Sequence, residues 1–255
     1  MTHGETALDR TVWTLTGKDA IGFLQGLVSN DLRPLEAGSG IIWAALLTPQ
    51  GKYLADFFVA RRPSGELLID IATRLAADTL RRLTMYRLRS DVQISPSELH
   101  VLRGLGDGPE GALPDPRHPA LGWRAWSEAP GADPSIDWDA IRVANLIPES
   151  GIELVPDDSY ILEQGFERLH GVDFRKGCYV GQEVTARMKH KTELRKGLVR
   201  VAVEGSAPVG TEILDSDGKP VGLIFTQSGG TGLAYLRFDR MNGSLQAGQA
   251  RVTVA

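Results

Sequence analysis

The chain has 255 residues, 42% hydrophobic and 24% charged, with a net charge of −4 and one cysteine. That supplies a real core in one to three small domains, excludes chain-wide disorder and argues against a nucleic-acid coat over the whole surface. A single thiol excludes an intrachain disulfide and any self-sufficient four-thiolate zinc or iron–sulfur site.

The N-terminus carries Glu5 and Asp9 and has no apolar stretch of the secretory kind. A strand is expected over Thr11–Thr16. A helix from Lys18 to Val28 follows, with Ala20, Ile21, Phe23, Leu24, Leu27 and Val28 on one face, ended by Ser29-Asn30-Asp31 and Pro34. Ile41–Leu47, the longest apolar run, is far short of the ~20 residues that cross a bilayer and reads as a buried strand. The turn Thr48-Pro49-Gln50-Gly51 leads into a return strand, Lys52–Ala60, and Ser64-Gly65 into a third, Glu66–Ile71. Thr73 is placed as the cap of a helix reaching Arg87, with short strands at Val92–Ile94 and Leu99–Leu102. This order describes an α+β unit with an antiparallel sheet.

Between Gly106 and Pro134 lie six of the fourteen prolines, and only Leu121–Trp126 reads as a strand. Ser135 is expected to cap a helix over Ile136–Asn145, and a short helix is expected over Ile161–His170. After Arg195 the pattern becomes short strands with Gly-rich turns: Leu198–Val203, Thr211–Leu214, Val221–Gln227, Leu233–Phe238 and Arg251–Val254. Such spacing suggests a small β-barrel.

The chemistry concentrates in Asp173–Glu183. Cys178 lies between Gly177 and Gly181, with Arg175 and Lys176 upstream and a helix start expected at Gln182. Glycines allow close approach to the backbone, while cations and a helix N-terminus favour the thiolate. The alternative is a small buried thiol. From Arg168 to Arg200 nine basic residues face three acidic ones, a local excess of six positive charges in an acidic chain. The stretch reads either as a solvated face or as a surface for an anionic partner. Its only aromatic side chains are Phe174 and Tyr179, which argues against direct RNA binding. Asp56, inside an apolar strand, is either paired and buried or aimed at a ligand.

Lys176–Glu183, Lys-Gly-Cys-Tyr-Val-Gly-Gln-Glu, resembles the signature of the YgfZ family. That family is a branch of the folate-binding superfamily that includes the aminomethyltransferase (T-protein) of the glycine cleavage system. Gly17–Ala20 with Phe23–Gly26, Leu47–Lys52 with Asp56, and Tyr86–Val92 resemble further parts of it in the expected order. The resemblance implies three small subdomains in a ring around a central folate channel. They are expected at residues 1–45 with 135–192, at 46–134, and, as the barrel, at 193–255.

It also implies a cytoplasmic tetrahydrofolate-binding factor for the assembly or repair of iron–sulfur proteins, tRNA-thiomethylating enzymes among them. Cys178 would be essential, as a reactive thiol or as one ligand of a cluster transiently shared with a partner. Lys176, Tyr179 and Gln182 would shape its loop, and Asp56, Asn30, Tyr86, Glu163 and Arg187 would serve the folate. Implied partners are iron–sulfur assembly proteins or client enzymes, and no membrane. Ala55 stands where the T-protein hairpin carries an adjacent acid. That weakens one rival reading, a folate-dependent aminomethyl or methyl transferase. The other rival is a non-catalytic module with a basic docking face.

Overall fold

The computed structural model describes residues 4–191, 193–241 and 243–254. The outermost residues of the expected subdomains, 1–3 and 255, lie outside them. The chain runs β1 (Glu5–Thr6), β2 (Arg10–Thr16), α1 (Ala20–Gln25), α2 (Pro34–Ala37), β3 (Gly40–Leu47), β4 (Tyr53–Arg61), β5 (Leu67–Ala72) and α3 (Thr73–Arg87). There follow β6 (Gln93–Ser97), β7 (His100–Gly104), β8 (Leu113–Pro114), β9 (Trp123–Ser127), α4 (Trp138–Asn145) and α5 (Gln182–Lys191). The last third holds β10 (Lys196–Glu204), β11 (Thr211–Leu214), β12 (Pro220–Ser228), β13 (Thr231–Arg237), β14 (Leu245–Ala247) and β15 (Ala250–Val254).

These strands form three sheets. A five-stranded antiparallel sheet has the order β3-β4-β5-β2-β6, a four-stranded sheet the order β1-β7-β9-β8, and β10-β13-β12-β11-β14-β15 close into a barrel. Position 45 falls inside β3, whose hairpin partner β4 lies beyond it, so one sheet takes strands from both sides of the expected subdomain boundary. Among the described residues no helix is long and apolar enough to cross a membrane.

Side chains alternate across a strand, so the five-stranded sheet feeds two cores. Trp13, Leu15, Ala44, Leu46, Phe57, Val59, Ile69 and Ile71 pack on one face beneath α1 and α3. Trp43, Ala45, Leu47, Tyr53 and Phe58 pack on the other against Trp138, Ile147, Leu154, Phe166 and Tyr179. The second face also carries Arg10, Asp56 and Asp70, the polar residues that matter below.

Four expectations are corrected. The helix of Ile161–His170 is absent. That stretch is a series of turns, with positive φ at Gly165 (79°) and His170 (56°), and its apolar residues reach the core from irregular backbone. Asp137, not Ser135, caps α4 by accepting from the Ala140 amide, because the helix begins only at Trp138. Thr73 is the first residue of α3 rather than its cap. The first helix is limited to Ala20–Gln25.

Candidate functional site

Cys178 is exposed, at the tip of a loop whose neighbours point inward. Lys176 is buried, and its ammonium donates to the carbonyls of Gln25 (2.7 Å), Val28 (2.5 Å) and Asn30 (3.0 Å). It therefore caps the C-terminal end of α1, where helix carbonyls lack partners. Burial holds this amine down to about 8, against the attraction of Asp31 and Asp173. Tyr179 is buried in the second core, 5.0 Å from the Lys176 ammonium measured to the ring centroid.

The far side of the loop is set by backbone. Gly181 has φ of 86°, and a Cβ there would lie 2.6 Å from the Thr48 carbonyl oxygen and 3.2 Å from Gly51 Cα. The β3–β4 turn and the cysteine loop thus touch through their glycines, and α5 begins at once with Gln182. Gln182 is half-buried beside this contact, while Glu183 and Arg187 project to the surface. An open groove lined by Ile41, Ile42, Val172 and Phe174 runs alongside as far as Arg175.

Part of the basic stretch is engaged by the rest of the protein, Lys176 in the interior and Arg168, Lys189 and Arg200 at the surface. Lys176 caps α1, Arg168 donates to the carbonyls of Asn145 and Leu146, Arg200 to that of Ala144, and Lys189 pairs with Glu167. Arg175, Arg187, Lys191, Arg195 and Lys196 remain on the surface.

The residues implied for folate do not converge. Asp56 is buried, and both its oxygens are taken, Oδ2 by Trp43 Nε1 (2.7 Å) and Oδ1 by Tyr53 OH and Ser150 Oγ (2.6 Å each). Asn30 spends its amide on the carbonyls of Trp43 and His170, holding β3 to the segment before the cysteine loop. Glu163 accepts from Tyr235 OH at 2.5 Å and ties the body to the barrel. Burial and then Glu163 raise that phenol well above its ordinary value. Tyr86 stands on the outer end of α3 beside Asp19 and Leu88. Among the described residues Asn30, Glu163 and Tyr86 line three different cavities, and each Asp56 oxygen already accepts a hydrogen bond within the fold.

Sequence reasoning did not find the group that does converge. Arg10, Arg103, Arg117, Arg124, Arg142 and Glu149 line a cavity of about 240 Å³. The available signal was Asp115, Arg117 and Arg124 close together in the Pro-rich stretch. Among the described residues no cluster of three His, Cys, Asp or Glu could hold a metal ion. The sequence contains a single thiol, Cys178.

The barrel matches the family model "CAF17, C-terminal beta-barrel domain" over residues 195–255. The whole chain resembles the solved structure of glycine cleavage system aminomethyltransferase T from Bartonella henselae, with a TM-score of 0.73 over 98% of this chain and 84% of that one. At 14% identity that likeness shows the fold alone, α+β with a closed barrel. The iron-sulfur cluster assembly factor IBA57 homolog of Mycosarcoma maydis, named as mitochondrial, is 32% identical over 74% of this chain. This chain spans 54% of that fungal protein, about half its length. The mitochondrial IBA57 of Homo sapiens is 30% identical, over 92% of this chain and 78% of its own length. A resemblance first carried by Lys176–Glu183 thus extends through the body and the barrel alike, and the chain belongs to the IBA57 (CAF17) family of iron–sulfur cluster assembly factors, close relatives of YgfZ.

Proposed function

We propose that this protein is an accessory factor in iron–sulfur cluster assembly that presents Cys178 to a partner protein. The partner is an assembly protein or a client enzyme, such as a tRNA-thiomethylating one. The cluster is cargo, and Cys178 supplies one thiolate to it while the partner supplies the remaining ligands. The observation that carries this reading is the contrast within one loop: Lys176 and Tyr179 are buried and anchored, and Cys178 between them is exposed. A thiol held out on a fixed loop, with room left by Gly177, is accessible to a second protein at little entropic cost. The exposed Arg175, Arg187, Lys191, Arg195 and Lys196 favour an acidic partner face and salt-dependent association.

The test is Cys178→Ser in cells lacking the natural protein. Client iron–sulfur enzyme activity should fall to the level of the null strain, while the purified variant keeps the wild-type melting temperature. Full rescue by the serine variant would refute the thiol role. No step is assigned to folate.

A further inference from the structure

The cavity between the two open sheets is walled by a buried chain of alternating charge. Arg10 Nε donates to Asp70 Oδ1 (2.6 Å), and Arg124 bridges Asp70 Oδ2 (2.8 Å) and Asp115 Oδ2 (3.1 Å). Arg117 closes the chain on Asp115 through Nε (3.0 Å) and Nη2 (2.9 Å). The side chains of Arg10, Arg117 and Arg124 are 6%, 8% and 6% exposed. An odd chain of three cations and two anions leaves one positive charge over. Arg103 is ion-paired with Glu5 at 3.5 Å, but its buried Nε makes no hydrogen bond.

The guanidinium forks are also incompletely used. Among the described residues Arg10 Nη1, Arg117 Nη1 and Arg124 Nη2 meet no protein acceptor, although each arginine lines the cavity. Those groups are free to donate into the cavity, and Arg103, which also lines it, holds a buried Nε without a hydrogen-bond partner, although buried donors are ordinarily satisfied. Burial, with repulsion from Arg10 and Arg117, holds Arg124 below its ordinary value, and burial with Arg124 does the same to Arg103. Against burial, Asp70 and Glu149 hold Arg10 above its ordinary value, and Asp115 and Glu149 do the same for Arg117.

Across the cavity stands Glu149. Its carboxylate approaches Arg142 Nε at 3.7 Å and makes no hydrogen bond among the described residues. Burial opposes its ionisation, but Arg142, Arg117, Arg10 and Arg124 keep its carboxyl below the ordinary range. It is a loosely held counter-charge.

We propose that this cavity binds a small multivalent oxyanion, a phosphate or a polycarboxylate, on the wall formed by Arg10, Arg103, Arg117 and Arg124, displacing Glu149. Forked guanidinium groups suit paired oxygens of either chemistry. A volume of about 240 Å³ lies below the range of roughly 300–1,000 Å³ that takes drug-sized ligands, so the anion is small.

Calorimetric titration of the full chain with inorganic phosphate, and separately with citrate, tests this, with sodium chloride at matched ionic strength as the control. One anion per chain should bind, and whichever of the two binds identifies the source chemistry. Arg103→Gln should weaken binding about tenfold, and Glu149→Gln should tighten it about tenfold by removing the competing charge. Neither residue belongs to the ionic chain, and unchanged melting curves confirm the fold. The proposal is overturned by no binding of either anion to wild type and Glu149→Gln at tens of millimolar. It is equally overturned by an equal effect of chloride, by weaker binding in Glu149→Gln, or by unaltered binding in Arg103→Gln.

Discussion

Lys176 carries the geometry of the cysteine loop, because one ammonium satisfies three backbone carbonyls from a different part of the chain. Lys176→Met would keep the aliphatic stem and strand those acceptors. Since an unsatisfied buried group costs about 1–3 kcal/mol and water reaches some of them, a loss of about 3 kcal/mol is expected in denaturant unfolding. Lys176→Arg should not rescue it, because a planar fork cannot reproduce three convergent short bonds. The amine also gives a pH signature. Its value is about 8 in the fold against 10.5 ordinarily, so between those pH values the unfolded chain holds the proton more tightly. The contribution of this group to stability therefore rises from pH 8 towards 10.5, and the rise should vanish from the Lys176→Met protein when unfolding free energies are compared across that window. The cysteine motif was legible in the sequence; the purpose of its lysine was not, since its acceptors lie about 150 positions away. Asp56 shows the same limit. A carboxylate in an apolar strand reads equally as paired or as ligand-facing, and its donors Trp43, Tyr53 and Ser150 come from three separate segments.

Elements were legible where a periodic apolar pattern coincides with regular backbone. The β3–β4 hairpin and α3 fall within a residue or so of the expected bounds, and the barrel strands follow their Gly-rich turns. The pattern misleads at Ile161–His170, where Ile161, Leu162, Phe166 and Leu169 mimic a helical face but are delivered by turns at Gly165 and His170. The three-residue β14 is too short to show a period, and its pairing with β11 and β15 is what closes the barrel. At this scale the two glycines around Cys178 separate into different roles. Gly181 combines positive φ with backbone contact at 2.6 Å, so Gly181→Ala must strain the residue and push the β3–β4 turn away. A loss of at least about 2 kcal/mol is expected, read as a lowered melting temperature together with loss of Cys178-dependent activity. A Cβ at Gly177 meets nothing within 4 Å, so Gly177→Ala should stay within about 0.5 kcal/mol of wild type in the same assay.

At the scale of the whole molecule, the two open sheets are joined by charge as well as by apolar packing. Asp70 in β5 accepts from Arg10 in β2 and Arg124 in β9, and Asp115 accepts from Arg124 and Arg117. No local pattern announces such a link. Its partners are separated by 60 and 54 positions, and half of it sits in the Pro-rich stretch that reads as an excursion. That stretch supplies β9, close to the strand expected at Leu121–Trp126, which carries Arg124 to the cavity, and β8, which was not expected. Breaking a buried ionic chain costs more than forming it gains, because the partners keep their charge without compensation. Asp70→Asn leaves Arg10 and Arg124 facing one neutral amide, and about 3–5 kcal/mol of stability should be lost in denaturant unfolding. Acid reads the other end of this ionic chain, at Asp115. Burial alone would raise the Asp115 carboxyl, but Arg117 and Arg124 hold it down to about 2, below the ordinary 3.8. Its contribution is present in full above pH 3.8 and is lost as the pH falls through 2, because there the fold must take up the proton it had excluded. Wild-type stability should therefore decline from about pH 4 to pH 2 by more than that of Asp115→Asn, which starts lower and has no such carboxyl to protonate. Equal slopes for the two proteins would mean that Arg117 and Arg124 do not hold the Asp115 carboxyl ionised in the fold.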